Sequence, residues 1–182
     1  MQKFFIVPVL LMIIIMSSCG GLFSQKLLKE QQWSENYALA DGVQSTSPEM
    51  IDGDLNTIGK ASFPERGAGE ASPNAEVLII LPERKTISKI VIYSDDLPNF
   101  RVLASVGMVG GKDDWKLIQE FTNNKQKEIV IRTSVQTDKI LVRIKGRLPL
   151  ESTKSTRVLG GVVRTRTLLE PEIKEIELYG FK

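Results

Sequence analysis

Between Glu49 and Thr57 the chain reads Glu49-Met50-Ile51-Asp52-Gly53-Asp54-Leu55-Asn56-Thr57. Two aspartates, an amide and a hydroxyl stand around one glycine, where the chain can turn sharply. Oxygen donors at this density suit a hard divalent cation such as calcium. The spacing is not that of an EF-hand, which needs a bidentate glutamate at the twelfth position of a loop that starts at its first aspartate. A cation held here must take further ligands from elsewhere in the chain. The same residue types also build a plain Asx-turn, because Asp and Asn beside Gly hydrogen-bond their own backbone. Both readings follow from the spacing.

Other chemistry is scarce. The 182 residues contain no histidine, which removes the commonest general base and zinc ligand. The single cysteine, Cys19, excludes an internal disulfide and a thiolate zinc cluster. Asp95-Asp96 and Asp113-Asp114 are carboxylate pairs of the residue type that glycosidases use. Adjacent carboxylates in strands or turns point apart, so both pairs read as turn chemistry and catalysis is not expected. Lys and Arg total 24 against 22 Asp and Glu, a formal charge of +2, which leaves no basic footprint for nucleic acid.

The N-terminus has the layout of a secretory signal. Lys3 precedes a nearly unbroken apolar run from Phe4 to Met16, and Ser17-Ser18-Cys19 follow. Met16-Ser17-Ser18-Cys19 resembles the end of a bacterial lipoprotein signal. That resemblance implies cleavage after residue 18 and acylation of Cys19, a lipid anchor on a membrane surface of the cell envelope. An ordinary signal peptide with a coincidental cysteine is the alternative. Gly20 rather than Asp follows the cysteine, which under the usual sorting rule directs the protein to the outer membrane if the host has one. Residues 19–33 read as a tether and 34–182 as one module.

The elements that must position the acidic turn are strands. Tyr37-Ala38-Leu39-Ala40 is expected as an opening strand and Ala61–Asn74, with Pro64, Gly67, Gly69 and Pro73, as a long loop. Short β-branched runs follow over Ala75–Leu81, Ile87–Tyr93, Phe100–Val106, Trp115–Phe121, Glu128–Arg132, Lys139–Lys145 and Ile173–Tyr179. Past the tether there is no helical periodicity. Many short strands without βαβ alternation predict an all-β protein, an antiparallel jelly-roll β-sandwich.

The order of these features resembles the discoidin family, also called coagulation factor V/VIII type C, within the galactose-binding-like jelly rolls. The segments carrying the resemblance are Ile51-Asp52-Gly53-Asp54-Leu55-Asn56-Thr57, Val77–Leu81, Ile87–Ile92, Phe100–Ser105, Trp115–Ile118, Ile140–Ile144 and Lys174-Glu175-Ile176-Glu177-Leu178-Tyr179-Gly180. It covers about Asn36 to Phe181. The resemblance implies a structural calcium with side-chain ligands Asp52, Asp54 and Thr57 and the distant carboxylate Glu175. Glu49 and Lys174 would add backbone carbonyls. It also implies ligand binding by loops at one end of the roll, to sugars, phospholipid head groups or protein surfaces.

Phe63, Arg66, Asn99 and Phe100 are the candidates in those loops, since a sugar site pairs an aromatic platform with planar hydrogen-bonding groups. The sequence departs from galactose-binding relatives at Ser94-Asp95-Asp96, where they carry an arginine, and at Ile58, where they carry a tryptophan. The stretch from Arg147 to Pro171 reads as an insertion with an extra hairpin. Its Arg157 and Arg164 offer a basic arm for acidic polysaccharide or a partner, or simply a solvated loop. Two functions remain open: a calcium-stabilised carbohydrate-binding module, and an assembly lipoprotein that docks an envelope or surface protein.

Overall fold

The computed structural model describes residues 32–66, 70–145, 153–158, 161–166 and 169–182, with backbone alone at 65–66, 70–71, 153–158 and 161–166. The chain divides into the unit Trp33–Phe181 and a remainder, Met1–Gln32 with Lys182. The expected signal peptide, the lipidation site Cys19 and nearly all of the tether lie outside the described residues.

Twelve strands form in the described residues: β1 Gln44–Ser45, β2 Gly59–Lys60, β3 Glu65–Arg66, β4 Glu70–Ala71, β5 Asn74–Tyr93, β6 Phe100–Val109, β7 Lys112–Phe121, β8 Glu128–Lys145, β9 Thr153–Val158, β10 Gly161–Arg166, β11 Glu172–Ile173 and β12 Glu175–Tyr179. Every pairing is antiparallel. The main sheet runs β1-β5-β8-β6-β7, and β12 pairs with Lys89–Tyr93 of β5, further along the strand than β1.

The two long strands each replace two expected short ones. Asn74–Ile80 of β5 pairs with Lys139–Lys145 of β8, and Lys89–Tyr93 pairs with Glu128–Arg132. Between these runs the register shifts at Ile80/Lys85 and Ile87/Lys89. Pro82 falls in the first gap, where its missing N–H would break a ladder. Opposite, the fully buried Thr137 accepts the Lys139 N–H at 3.0 Å. Its hydroxyl lies 2.8 Å from the Ser105 carbonyl across the strand gap. Such bends let one strand pass from one layer to the next. One layer therefore holds β1, the first half of β5, the second half of β8, β6 and β7. The other holds β12 with the remaining halves.

Alternation along these strands supplies the core. Val77, Ile79, Ile140, Val142, Val102 and Ala104 pack from the first layer, and Ile90, Ile92, Ile129, Ile131, Ile176 and Leu178 from the second, all fully buried. This is the antiparallel jelly-roll sandwich expected from the sequence.

The opening segment differs. Tyr37–Leu39 is a 3-10 turn rather than a strand. Asn36 decides this: its side-chain oxygen accepts the Ala38 N–H at 3.0 Å and the Leu178 N–H at 2.9 Å, so it caps the turn and clips it to β12. The stretch 61–74 is not one open loop, because β3 and β4 pair within it. The hairpin expected before the last strand is present as β9 and β10, which pair antiparallel from Thr153 with Arg166 to Val158 with Gly161.

Candidate functional site

Two features lie side by side at one end of the roll. The first is a cluster of oxygens built by the acidic turn. Pro48–Met50 forms a 3-10 turn with the proline at its start, and Gly53 takes φ +79°, the left-handed region that glycine enters freely. The chain folds back so that the Thr57 hydroxyl lies 2.9 and 3.0 Å from the two Asp52 carboxylate oxygens. It also lies 2.8 Å from the Asp54 carbonyl and 3.2 Å from the Glu49 carbonyl. A hydroxyl has one proton and can donate to one of these four acceptors. The other close oxygen pairs are left without a hydrogen between them.

Glu175 closes the arrangement from the far end of the sequence. Its side chain is 1% exposed, and Oε2 accepts the Gly53 N–H at 3.1 Å. Oε1 is buried with no hydrogen-bond partner among the protein atoms. Burial, with repulsion from Asp52 adding to it, pushes the Glu175 carboxyl up to about 7 against the lowering pull of the Gly53 N–H. A buried, unpaired carboxylate oxygen beside converging carbonyl, carboxylate and hydroxyl oxygens fits a hard divalent cation by donor type. The donor set differs in one respect from the expectation. The Asp54 carboxylate accepts both the Asn56 N–H at 2.9 Å and the Asn56 side-chain amide at 2.7 Å, so Asp54 turns its carbonyl to Thr57 instead. Those two bonds hold its carboxyl below the usual range. Among the described residues no group of three or more His, Cys, Asp or Glu side chains is disposed to hold a metal. Backbone and hydroxyl oxygens would therefore make up most of the shell. Lys174 uses its N–H on the Tyr93 carbonyl at 2.8 Å and its ammonium on Asp95, also at 2.8 Å.

The second feature is a pocket of about 260 Å³. Ile58 and Leu169, each about half exposed, form apolar surface with Pro98 and Pro171. Asp95, Asp96, Glu170 and Glu172 supply carboxylates, and Lys145 and Lys174 supply ammonium groups. Asp95 is fixed by Lys174 at 2.8 Å and Lys127 at 3.0 Å, which hold its carboxyl below the ordinary range. The walls are tied by backbone. Ser94 Oγ donates to the Glu172 carbonyl at 2.6 Å, and the Lys145 N–H donates to the Asn99 carbonyl at 3.0 Å. Apolar surface with a few convergent polar groups is the ordinary make-up of a small-ligand site.

The loop candidates fare unevenly. Phe100 is 2% exposed and stacks on Phe121 at 4.5 Å between centroids, so its ring belongs to the core and offers no platform. Asn99 follows the pocket-lining Pro98, but its side-chain oxygen accepts the Asn123 N–H at 3.1 Å and so ties two loops together. Phe63 is partly buried against the core and is not among the residues lining the pocket. The side chains of Arg66, Arg157 and Arg164 lie outside the described residues. The pocket is lined instead by Ile58 and Asp95-Asp96, the positions where the sequence departs from galactose-binding relatives, and by Lys145, Glu172 and Lys174. Those residues carry no signal of their own in the sequence, because exposed Lys and Glu at strand ends are common. Of the two acid pairs, Asp113 is bound by Lys139 at 2.8 Å and by Ser105 at 3.1 Å, which makes it a structural ion pair.

No family model matches the sequence, and no curated protein sequence does. Solved structures match along the fold. Chitosan-binding module 1 from a chitosanase/glucanase of Paenibacillus sp. IK-5 superposes with a TM-score of 0.53 at 14% identity, over 81% of this chain and 100% of its own. CpGH89CBM32-6, produced by Clostridium perfringens, gives 0.53 at 17% identity over 80% of this chain and 98% of its own. A GH29 fucosidase of Ruminococcus gnavus gives 0.52 at 19% identity over 81% of this chain, but this chain spans only 27% of that enzyme. At these identities the likeness is one of fold, and the chain shares the antiparallel jelly-roll β-sandwich of these structures.

Proposed function

We propose that Trp33–Phe181 is a non-catalytic carbohydrate-binding module, braced by calcium and displayed on the cell envelope by a lipid on Cys19. The observation that carries the binding reading is the pocket between Ile58, Asp95, Asp96 and Lys174, at the loop end of a jelly roll. Its carboxylates can accept hydrogen bonds from sugar hydroxyls, and Ile58 and Leu169 can cover the apolar face of a ring. Two neighbours that the fold matches along their whole length are named as chitosan-binding modules 1 and 2. A glycan array probed with the purified chain tests this, with chitooligosaccharides and galactosides included. Saturable binding that is lost in Asp96→Ala and Lys174→Ala is the expected result, and silence across the array would remove the carbohydrate reading.

The calcium reading rests on the orphaned Glu175 oxygen and the crowd around the Thr57 hydroxyl. Asp52, Thr57 and the carbonyls of Glu49 and Asp54 would hold the ion, with Glu175 opposite. Its chemistry is structural: it neutralises like charges and joins the first part of the module to its last strand. EDTA is expected to lower the melting temperature and excess calcium to restore it; the absence of any shift would take the metal out of the account. Loss of palmitate labelling in Cys19→Ala tests the anchor.

One observation favours the second reading, docking of an envelope or surface protein. No aromatic ring lines the pocket among the described residues, whereas Ile58 and Leu169 present aliphatic surface. Capture of one defined envelope protein, with no glycan binding, would support it.

A further inference from the structure

The oxygen cluster and the pocket are built on the same two segments. Thr57, whose hydroxyl lies among four oxygens, is followed at once by Ile58, which lines the pocket. Glu175, which takes the Gly53 N–H, is preceded by Lys174, which lines the pocket from the other side. The two segments run antiparallel and are hydrogen-bonded to one another. Gly59 pairs with Ile173, Lys60 pairs with Glu172, and the Ala61 N–H donates to the Pro171 carbonyl at 2.9 Å. Pro171 and Glu172 also line the pocket.

No slack separates these parts. A Cβ on Gly59 would lie 2.4 Å from Met50 Cγ and 2.7 Å from Ser47 Oγ, so β2 rests directly on the 3-10 turn that opens the acidic loop. Met50 is fully buried there. A shift of the acidic turn against β12 must therefore move Ile58 against Lys174 and Glu172, and with them the mouth of the pocket. Packed elements of this kind transmit displacement rather than absorb it.

We infer that cation occupancy of the Asp52–Thr57–Glu175 cluster sets the order of the pocket wall formed by Ile58 and by Glu172–Lys174, so that metal and ligand bind cooperatively. This rests on the calcium and pocket readings proposed above. The cluster's ligands are the residues next to the pocket's wall, and ordering the one orders the other. Coupling of this kind is reciprocal, so a ligand in the pocket raises calcium affinity by the factor by which calcium raises its own.

Hydrogen exchange of the full chain with and without calcium tests the inference without needing the glycan. Exchange at 57–61 and 171–175 is expected to slow by about fivefold or more when calcium is added, the lower end of typical site-to-site coupling. In Thr57→Val, nearly the same shape without the hydroxyl, the calcium-dependent slowing should vanish, and the melting temperature of the variant should be the same in calcium as in EDTA. Asp52→Asn provides a second route to the same loss. Slowing confined to 49–56 would overturn the coupling and leave the metal in place. No slowing anywhere, with no rise in melting temperature, would overturn both. Silence on the glycan array would bear only on the carbohydrate reading, because this measurement needs no sugar.

Discussion

Glu175 shows how one buried carboxyl can make stability depend on both pH and metal. Burial is the largest cause lifting its pKa from 4.5 to about 7. In the unfolded chain the same group ionises near its ordinary value. Between the two values the folded, metal-free protein keeps a proton that the unfolded chain has released. Its stability therefore falls as pH rises from about 4.5 to about 7. The full separation corresponds to roughly 3 kcal/mol at pH 7 and above. Glu175→Gln retains an acceptor for the Gly53 N–H and removes the charge. In EDTA this variant is expected to melt higher than the parent at neutral pH and about equally near pH 4.5, as thermal melts across that range would show. In calcium the order should reverse, because an amide is a weaker ligand than a carboxylate for a hard cation. A parent protein whose EDTA melts do not change over this range would contradict the buried, ionisable Glu175 described here.

At the scale of elements, the contacts that matter are those that bring β2 and β11 against the acidic turn. Gly59 is the tightest point, since the nearest atoms to an added Cβ belong to the buried Met50 and to Ser47. Gly59→Ala is expected to destabilise the module by about 1–3 kcal/mol through overpacking, read from denaturant midpoints. In the core, Ile131→Ala removes a fully buried side chain and should cost about 2–5 kcal/mol. Glycines at the β6–β7 hairpin tip provide the contrast. A Cβ on Gly110 or Gly111 would meet nothing within 4 Å.

The same elements show what the sequence revealed and what it could not. Strand positions were legible because Ile87–Tyr93 and Lys139–Lys145 are rich in β-branched residues that recur at every second position, and a period of two needs no tertiary information. The fusion of short runs into β5 and β8 was not, because a bend at Pro82 or Thr137 looks like a strand end in one dimension. Tyr37–Leu39 looked like a strand by composition. It became a turn through the Asn36 contact with Leu178, a partner far along the chain. In the candidate site, the acidic turn is legible from its residue types, but its link to Glu175 comes only through the resemblance to the discoidin family. The pocket is not legible, since Lys145, Glu172 and Lys174 acquire meaning only when three loops meet. Phe100 was misassigned for a related reason. An aromatic at a strand start reads the same whether it faces a loop or Phe121.

Across the whole module, the pocket and Trp33 stand at opposite ends of the second layer. Tyr179 pairs with Lys89 and Glu175 with Tyr93, so β12 and β5 run between those two rows. Beyond Tyr179, Trp33 bridges Phe181 with ring centroids 4.8 Å apart. Lys89 lies 4.8 Å and Arg132 4.6 Å from the Trp33 ring, a cation–π staple that fixes this end. Beyond Glu175, Lys174 opens the pocket with Asp95 and Asp96. The five residues of β12 alone separate these ends by on the order of 16 Å. A lipid on Cys19 would hold the Trp33 end nearer the bilayer and leave the pocket facing outward. Energy transfer measures this directly in vesicles carrying the acylated protein and acceptor-labelled lipid, with a dye placed at Glu35→Cys or at Asp96→Cys. Glu35, exposed and two residues from Trp33, is expected to give the stronger transfer. Equal or reversed transfer would mean that the module lies on its side or inverted, with its pocket against the membrane, and display of that pocket to the outside would have to be abandoned.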